Sequence, residues 1–285
     1  MSQPEPIEIH RPVLDYRGGS WGWRAGLVAA AAGLLYLLDR PDEPANGGTA
    51  LGYALGTAGL GLTVWLAWYG IRKRQFGPGG RPLEAWLSAH IYLGLALPVV
   101  ATLHAGFRWH GNIHTLGFAL MVLVVLSGIF GLLAYLRYPA LAVANLRGAD
   151  RRKLVAEIVA LDLDCQEKSL GFDDRVVALV RAATEAAPPG SGWRDLVQGR
   201  AVLSGPTQAA IAHLRGLLLG EAALPPDAML PLVLALTERA TLVERARRDY
   251  RYRLLLTAWR TAHLALSIGL LAALTVHVVV VFYYR

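Results

Sequence analysis

Thiol chemistry is nearly absent from this sequence: Cys165 is the one cysteine among 285 residues. That excludes an internal disulfide, and it excludes an iron–sulfur cluster held by this chain's own thiolates, which needs several cysteines. No CxxCH motif occurs, so covalent haem attachment is excluded too. Cys165 reads as an ordinary thiol in a helical segment. Charge is also scarce, at 17% against 54% hydrophobic residues. A soluble domain of this size rarely carries so little, and the apolar residues are gathered in blocks, which is the pattern of a membrane protein. The formal charge of +7 comes from basic residues at the ends of those blocks. That arrangement reads as membrane topology rather than a nucleic-acid face, and no nucleic-acid partner is expected.

What is present is a set of five apolar stretches long enough to cross about 30 Å of hydrocarbon as helices. They run from Trp21 to Leu38, Ala50 to Ile71, Leu83 to Phe107, Ile113 to Leu136, and Thr257 to Tyr284. The expected fold is all-α: a polytopic membrane protein with a polar N-terminal segment over 1–20, spans one to four within 21–137, a helical insertion over 138–256, and span five over 257–285. Pro4, Pro6 and Pro12 mark the polar start, and without a small-residue cleavage signature the first span reads as retained. Phe282, Tyr283, Tyr284 and Arg285 suit an interfacial anchor.

Short loops set the expected orientation. Arg72, Lys73, Arg74 and Arg81 lie between spans two and three; Arg40 is offset by Asp39, Asp42 and Glu43 between spans one and two; Arg108 stands alone between spans three and four. The positive-inside rule then puts the N-terminus in the cytoplasm and the C-terminus outside, in an inner (plasma) membrane. The flanks of the insertion agree, with Arg147, Arg151, Arg152 and Lys153 at one end and Arg245, Arg247, Arg248, Arg251 and Arg253 at the other. Helix-compatible spacing within it covers Leu154–Asp164, Phe172–Ala187, Thr207–Leu219 and Leu230–Tyr252. Breaks are expected at Pro188-Pro189-Gly190, Gly205-Pro206 and Pro225-Pro226. The insertion has no glycine-rich phosphate loop, no flavin or nicotinamide fingerprint and no metal-ligand cluster, so packing or docking is its expected role.

Spans three and five carry the chemistry. His90 and His104 are 14 residues apart, and so are His263 and His277. Fourteen steps leave both members of a pair within about 40° on one helix face and about 21 Å apart along the axis. Both spans are odd-numbered and cross in the same direction, so His90 would meet His263 near the cytoplasmic surface, and His104 would meet His277 near the outer one. Two opposed imidazoles at each depth supply two axial nitrogens to an iron, which favours electron transfer over substrate binding at the metal. An offset of 173 residues aligns the two spans with Trp86 on Trp259, His90 on His263, Thr102 on Thr275 and His104 on His277, besides five Leu and Ala matches. Such an internal repeat places cofactors between symmetry-related helices. The alternative, four imidazoles that merely bond to neighbouring helices, requires that register to be accidental.

Other candidates flank these four. Trp86 and Trp259 lie one turn before the inner histidines, placed for interfacial anchoring or for contact with a haem edge. Gly94, Gly106, Gly128 and Gly131 would allow close approach to a macrocycle or ordinary helix packing. Arg108 and Arg260 could pair with haem propionates or snorkel to lipid headgroups. His110 and His114, near Asn112, stand at the outer mouth; with no matching partner or repeat they read first as ordinary interfacial histidines, though either could take a proton from a quinol and His114 could replace a ligand.

Paired histidines 14 apart on two co-directional helices resemble the dihaem cytochrome b families, including the quinol-oxidising cytochromes b. Their placement on the third and fifth spans is similar to the ferric-reductase-like transmembrane domain shared with NADPH oxidases. By that resemblance His90, His104, His263 and His277 are the axial ligands of two b haems, His90/His263 the inner pair and His104/His277 the outer. The resemblance is close over about 50 residues. A sixth span and a flavin and nicotinamide domain, which reductases of that kind carry, are not seen, so direct reduction by NADPH within this chain is not expected. The expected function is an electron-carrying subunit of a quinone-linked respiratory redox complex. Its partners would be membrane lipid, a c-type cytochrome, iron–sulfur protein or flavoprotein, and quinone as a further candidate ligand. The alternatives are a transmembrane ferric or other metal reductase fed by a separate flavoprotein, and a non-redox membrane scaffold.

Overall fold

A computed structural model describes residues 13–39, 46–75, 83–108, 111–146, 150–185, 201–219 and 226–283. The expectations placed on residues 1–12, Arg40, Asp42, Glu43, Arg81, His110, Arg147, Pro188, Pro189, Gly190, Pro225, Tyr284 and Arg285 fall outside the described residues. The fold is all-α, with no strand among the described residues. After a short turn of 3-10 helix at Val13–Asp15, the described residues form eight α-helices: α1 Ser20–Leu38, α2 Ala50–Gln75, α3 Leu83–His104, α4 Ile113–Leu146, α5 Arg151–Ser169, α6 Asp174–Glu185, α7 Ala201–Leu219 and α8 Pro226–Tyr283.

Five of these, α1 to α4 and α8, are long and apolar enough to cross a membrane. With 22 residues, α3 extends about 33 Å. The apolar side chains largely face outward: Leu37 is 78% exposed, Leu133 60% and Ile268 60%. Against water, each such side chain would forgo about 1.5–3 kcal/mol of burial. Against hydrocarbon the same arrangement is favourable, because a helix satisfies its own backbone polar groups.

The chain divides into two compact units, Met1–Leu133 with Trp259–Arg285, and Ala134–Ala258. In the first, α3 packs on both α1 and α2, and the Tyr92 hydroxyl donates to the Leu14 carbonyl at 3.0 Å. Leu66 of α2, Leu97 of α3, Met121 of α4 and Leu270 of α8 share one buried apolar cluster. Leu97 lies midway between His90 and His104, and Leu270 midway between His263 and His277. Four helices therefore enclose an apolar layer halfway between the two histidine levels.

Several boundaries differ from the sequence reading, α2 for one running to Gln75 rather than Ile71. The third span stops being helical at His104 rather than Phe107, because Gly106 (φ 57°) and Phe107 (φ 58°) turn the backbone left-handed. The fourth helix continues past Leu136 to Leu146, and the fifth span begins inside a helix that starts at Pro226. Proline suits that first position, since the amide hydrogen it lacks would have no partner there.

The second unit has its own core, with Cys165, Val176, Val180, Leu214, Leu232 and Leu236 buried together. Its one fully enclosed cation among the described residues is Arg239, which pairs with Asp162 and donates to the Thr207 hydroxyl at 3.3 Å and the Thr184 carbonyl at 3.2 Å. The break expected at Gly205-Pro206 does not occur: Pro206 lies inside α7. It falls in the second turn, where it forfeits one backbone bond, and Ala210, Ile211 and Leu214 pack the following turns into the core.

Candidate cofactor site: four histidines on two helices

Of the two expected pairs, His104 and His277 have their rings together, with centroids 6.1 Å apart and planes at 87°. His90 and His263 lie seven residues before Leu97 and Leu270, which pack in one cluster. Leu97 with Leu270 and His104 with His277 meet in register, so α3 and the last part of α8 run in the same direction.

Each ring is held from behind by a different neighbour. His104 Nδ1 lies 2.7 Å from the Gly52 carbonyl, and His90 Nδ1 lies 3.2 Å from the Leu66 carbonyl. A carbonyl oxygen only accepts, so both Nδ1 atoms carry the hydrogen. His263 Nδ1 sits 2.6 Å from Ser127 Oγ, whose own hydrogen goes to the Val124 carbonyl at 2.9 Å. The serine oxygen therefore accepts, and His263 is the same tautomer. In all three rings the Nε2 lone pair is left free, which is the form that binds iron, with an outer-shell acceptor fixing the ring. His277 differs: its Nδ1 is buried and makes no hydrogen bond.

Glycines set the room around these rings. A methyl group on Gly56 would lie 2.7 Å from His104 Cε1, and one on Gly47 would lie 3.1 Å from it. The first is closer than side-chain carbons come and the second would make the ring give way, so α2 and the turn before it act as a cradle for the His104 imidazole. On α4, a methyl group at Gly131 would collide with the Trp259 indole, and Gly128 lies beside His263. Gly94, by contrast, has open space where its side chain would be.

The remaining candidates separate clearly. Trp86 stacks on Trp65 of α2 at 5.4 Å, with the Arg72 guanidinium 5.6 Å above its ring. Trp259 donates from Nε1 to the Ser127 carbonyl at 2.7 Å, with its ring 5.7 Å from that of His263. Ser127 thus holds both Trp259 and His263. Arg108 and Arg260 are exposed. Asn112 accepts from the Thr115 amide at 3.2 Å and so starts α4. This places His114 in the first turn, its ring 4.4 Å from that of His277 and perpendicular to it. Ser127, Leu66, Gly52 and Gly56 are site residues that the sequence reading passed over. The small-residue pairs Gly52–Gly56 and Gly128–Gly131 were the available signal for close helix approach.

The residues fit a porphyrin iron. Among the described residues no group of three or more His, Cys, Asp or Glu side chains forms a cage for a bare metal ion. A haem iron already has four nitrogens and asks the protein for one or two more. The 6.1 Å between the outer rings is about the span of two ring radii and two metal–nitrogen bonds of about 2 Å. Comparison of the chain with protein-family models, with curated proteins and with solved structures gave no match.

Proposed function

We propose that this chain is a dihaem b-type cytochrome that carries electrons across a membrane as a subunit of a quinone-linked respiratory complex. The observation that carries the reading is the His104–His277 ring pair at 6.1 Å, together with the Nδ1 atoms of His90, His104 and His263 each lying against an oxygen of a neighbouring helix. His90 and His263 would hold one haem and His104 and His277 the other. The haem iron supplies one-electron redox chemistry, and the protein supplies ligands, orientation and burial. Two imidazoles on one iron would leave no open position there, which suits electron transfer rather than substrate binding. Leu66, Leu97, Met121 and Leu270 keep water from the layer between the two levels. Fourteen residues separate the levels by about 21 Å along the helix axis, so two cofactors cover most of the hydrocarbon depth.

Arg108 and Arg260, both exposed, remain candidates for propionate contacts. A separate redox subunit (a c-type cytochrome, iron–sulfur protein or flavoprotein) would give or take electrons on at least one side, with quinone as the second exchange partner. Arg72, Lys73 and Arg74 at the end of α2 favour a cytoplasmic N-terminus and an outer C-terminus. The test is a reduced-minus-oxidised spectrum with haem-to-protein stoichiometry on purified protein. Two b haems per chain are expected, and one in His104→Ala or His277→Ala. Colourless wild-type protein would sink the proposal.

A further inference from the structure

Spans three and five repeat a tryptophan four residues before their first histidine, Trp86 before His90 and Trp259 before His263. Folding treats the two copies differently. The Trp259 ring lies 5.7 Å from that of His263, with planes at 33°. Trp86 is drawn to α2, where it stacks on Trp65 with planes at 20°. The ring against His90 is that of Tyr69, at 4.9 Å with planes at 38°. A side chain of α2 thus stands to His90 at nearly the distance and tilt at which Trp259 stands to His263. The same helix supplies the Leu66 carbonyl, 3.2 Å from His90 Nδ1, and residues three apart on a helix share one face. That contact is the longest of the three behind His90, His104 and His263, against 2.7 Å for His104 and 2.6 Å for His263. It is the loosest hold of the three, and the Tyr69 ring is a second hold on the same imidazole.

We propose that Tyr69 is a positioning residue for the inner site, its ring fixing the plane of the His90 imidazole. This rests on the dihaem reading and adds to it the group that sets how the inner ligand is turned. A contact at Nδ1 anchors one edge of the imidazole. An aromatic ring packed against it limits rotation about Cβ–Cγ, a torsion that is otherwise broad. The protein then sets the angle at which the imidazole plane meets the metal, and outer partners of this kind orient a ligand and tune its metal. At His104 the same task falls to Gly47 and Gly56, whose missing side chains leave the room that the imidazole fills. Tyr69 is half-buried, whereas its neighbour Trp68, on another face of α2, is 50% exposed. Tyr69 acts through His90 and not on the iron itself.

The experiment is electron paramagnetic resonance, with haem-to-protein stoichiometry, on the oxidised full-length chain as wild type, Tyr69→Leu, Tyr69→Phe and Trp68→Leu. The low-spin ferric signal of a haem with two axial imidazoles depends on the angle between their planes. Tyr69→Leu is expected to keep two haems and to shift the largest g value of one signal while the other stays. The signal that moves should be the one that survives in His104→Ala. Tyr69→Phe keeps the ring, and Trp68→Leu removes an aromatic side chain elsewhere on α2, so both should match wild type. Loss of the inner haem from Tyr69→Leu, with both kept in Tyr69→Phe, would also support the inference, the imidazole then being too poorly held to ligate. Two unmoved signals in Tyr69→Leu with two haems bound would overturn it and leave the dihaem reading standing. A shift in Tyr69→Phe as large as in Tyr69→Leu would overturn it too, because the hydroxyl and not the ring would be the acting group. Haem-free wild-type protein would overturn both readings.

Discussion

At Gly56 a single methyl group decides whether His104 keeps its place. The added carbon of Gly56→Ala would lie 2.7 Å from Cε1 and 2.8 Å from Nδ1 of the imidazole. Overpacking of this kind costs about 1–3 kcal/mol, and the ring can relieve it only by leaving the Gly52 carbonyl. On the dihaem proposal, haem per chain should therefore fall from two towards one in Gly56→Ala. Gly61→Ala, on the same helix with open space at its side-chain position, should keep both. Cys165 makes a different point. Burial, reinforced by the nearby Asp164 carboxylate, pushes its thiol up to about 11. Only the thiolate attacks alkylating reagents, so below that pH the folded protein holds the unreactive form. At pH 8 labelling should be slow until denaturant is added; fast labelling of folded protein would contradict the burial.

Among the elements, α5, α6, α7 and the first part of α8 are held by an apolar core with one ion pair set into it. Arg239 is 4% exposed and ties three helices through Asp162, Thr184 and Thr207. Removing one partner of a buried pair leaves the other uncompensated, at a cost of about 3–5 kcal/mol. Arg239→Met should therefore lower the unfolding midpoint of the second unit, followed by denaturant titration of the full-length protein. Combining it with Asp162→Leu should recover most of the loss, since apolar replacement of both partners is often neutral. A double variant as unstable as the single one would locate the cost in the Thr184 and Thr207 contacts instead.

For the whole molecule, five apolar helices with outward-facing side chains require a lipid environment. The chain should stay with the membrane pellet after alkaline carbonate extraction; release into the supernatant would contradict this. Under the proposed orientation the unit Ala134–Ala258 lies on the cytoplasmic side. Protease should then cut within it in inverted vesicles and spare it in right-side-out ones, and the reverse pattern would turn the assignment over.

The five spans, their boundaries to within a turn or a few, and the four histidines follow from sequence alone. Apolar block length and a 14-residue spacing are local properties of one helix, and helical geometry converts them directly into depth and face. The pairing of Trp86 with Trp65, the Ser127 link to both His263 and Trp259, and the Gly52 and Gly56 cradle were decided only by tertiary structure. They depend on which helix faces which and at what height, and residues 52 and 136 positions apart carry no local mark of meeting. The same reason makes His114 look ordinary in the chain, until folding brings its ring 4.4 Å from that of His277.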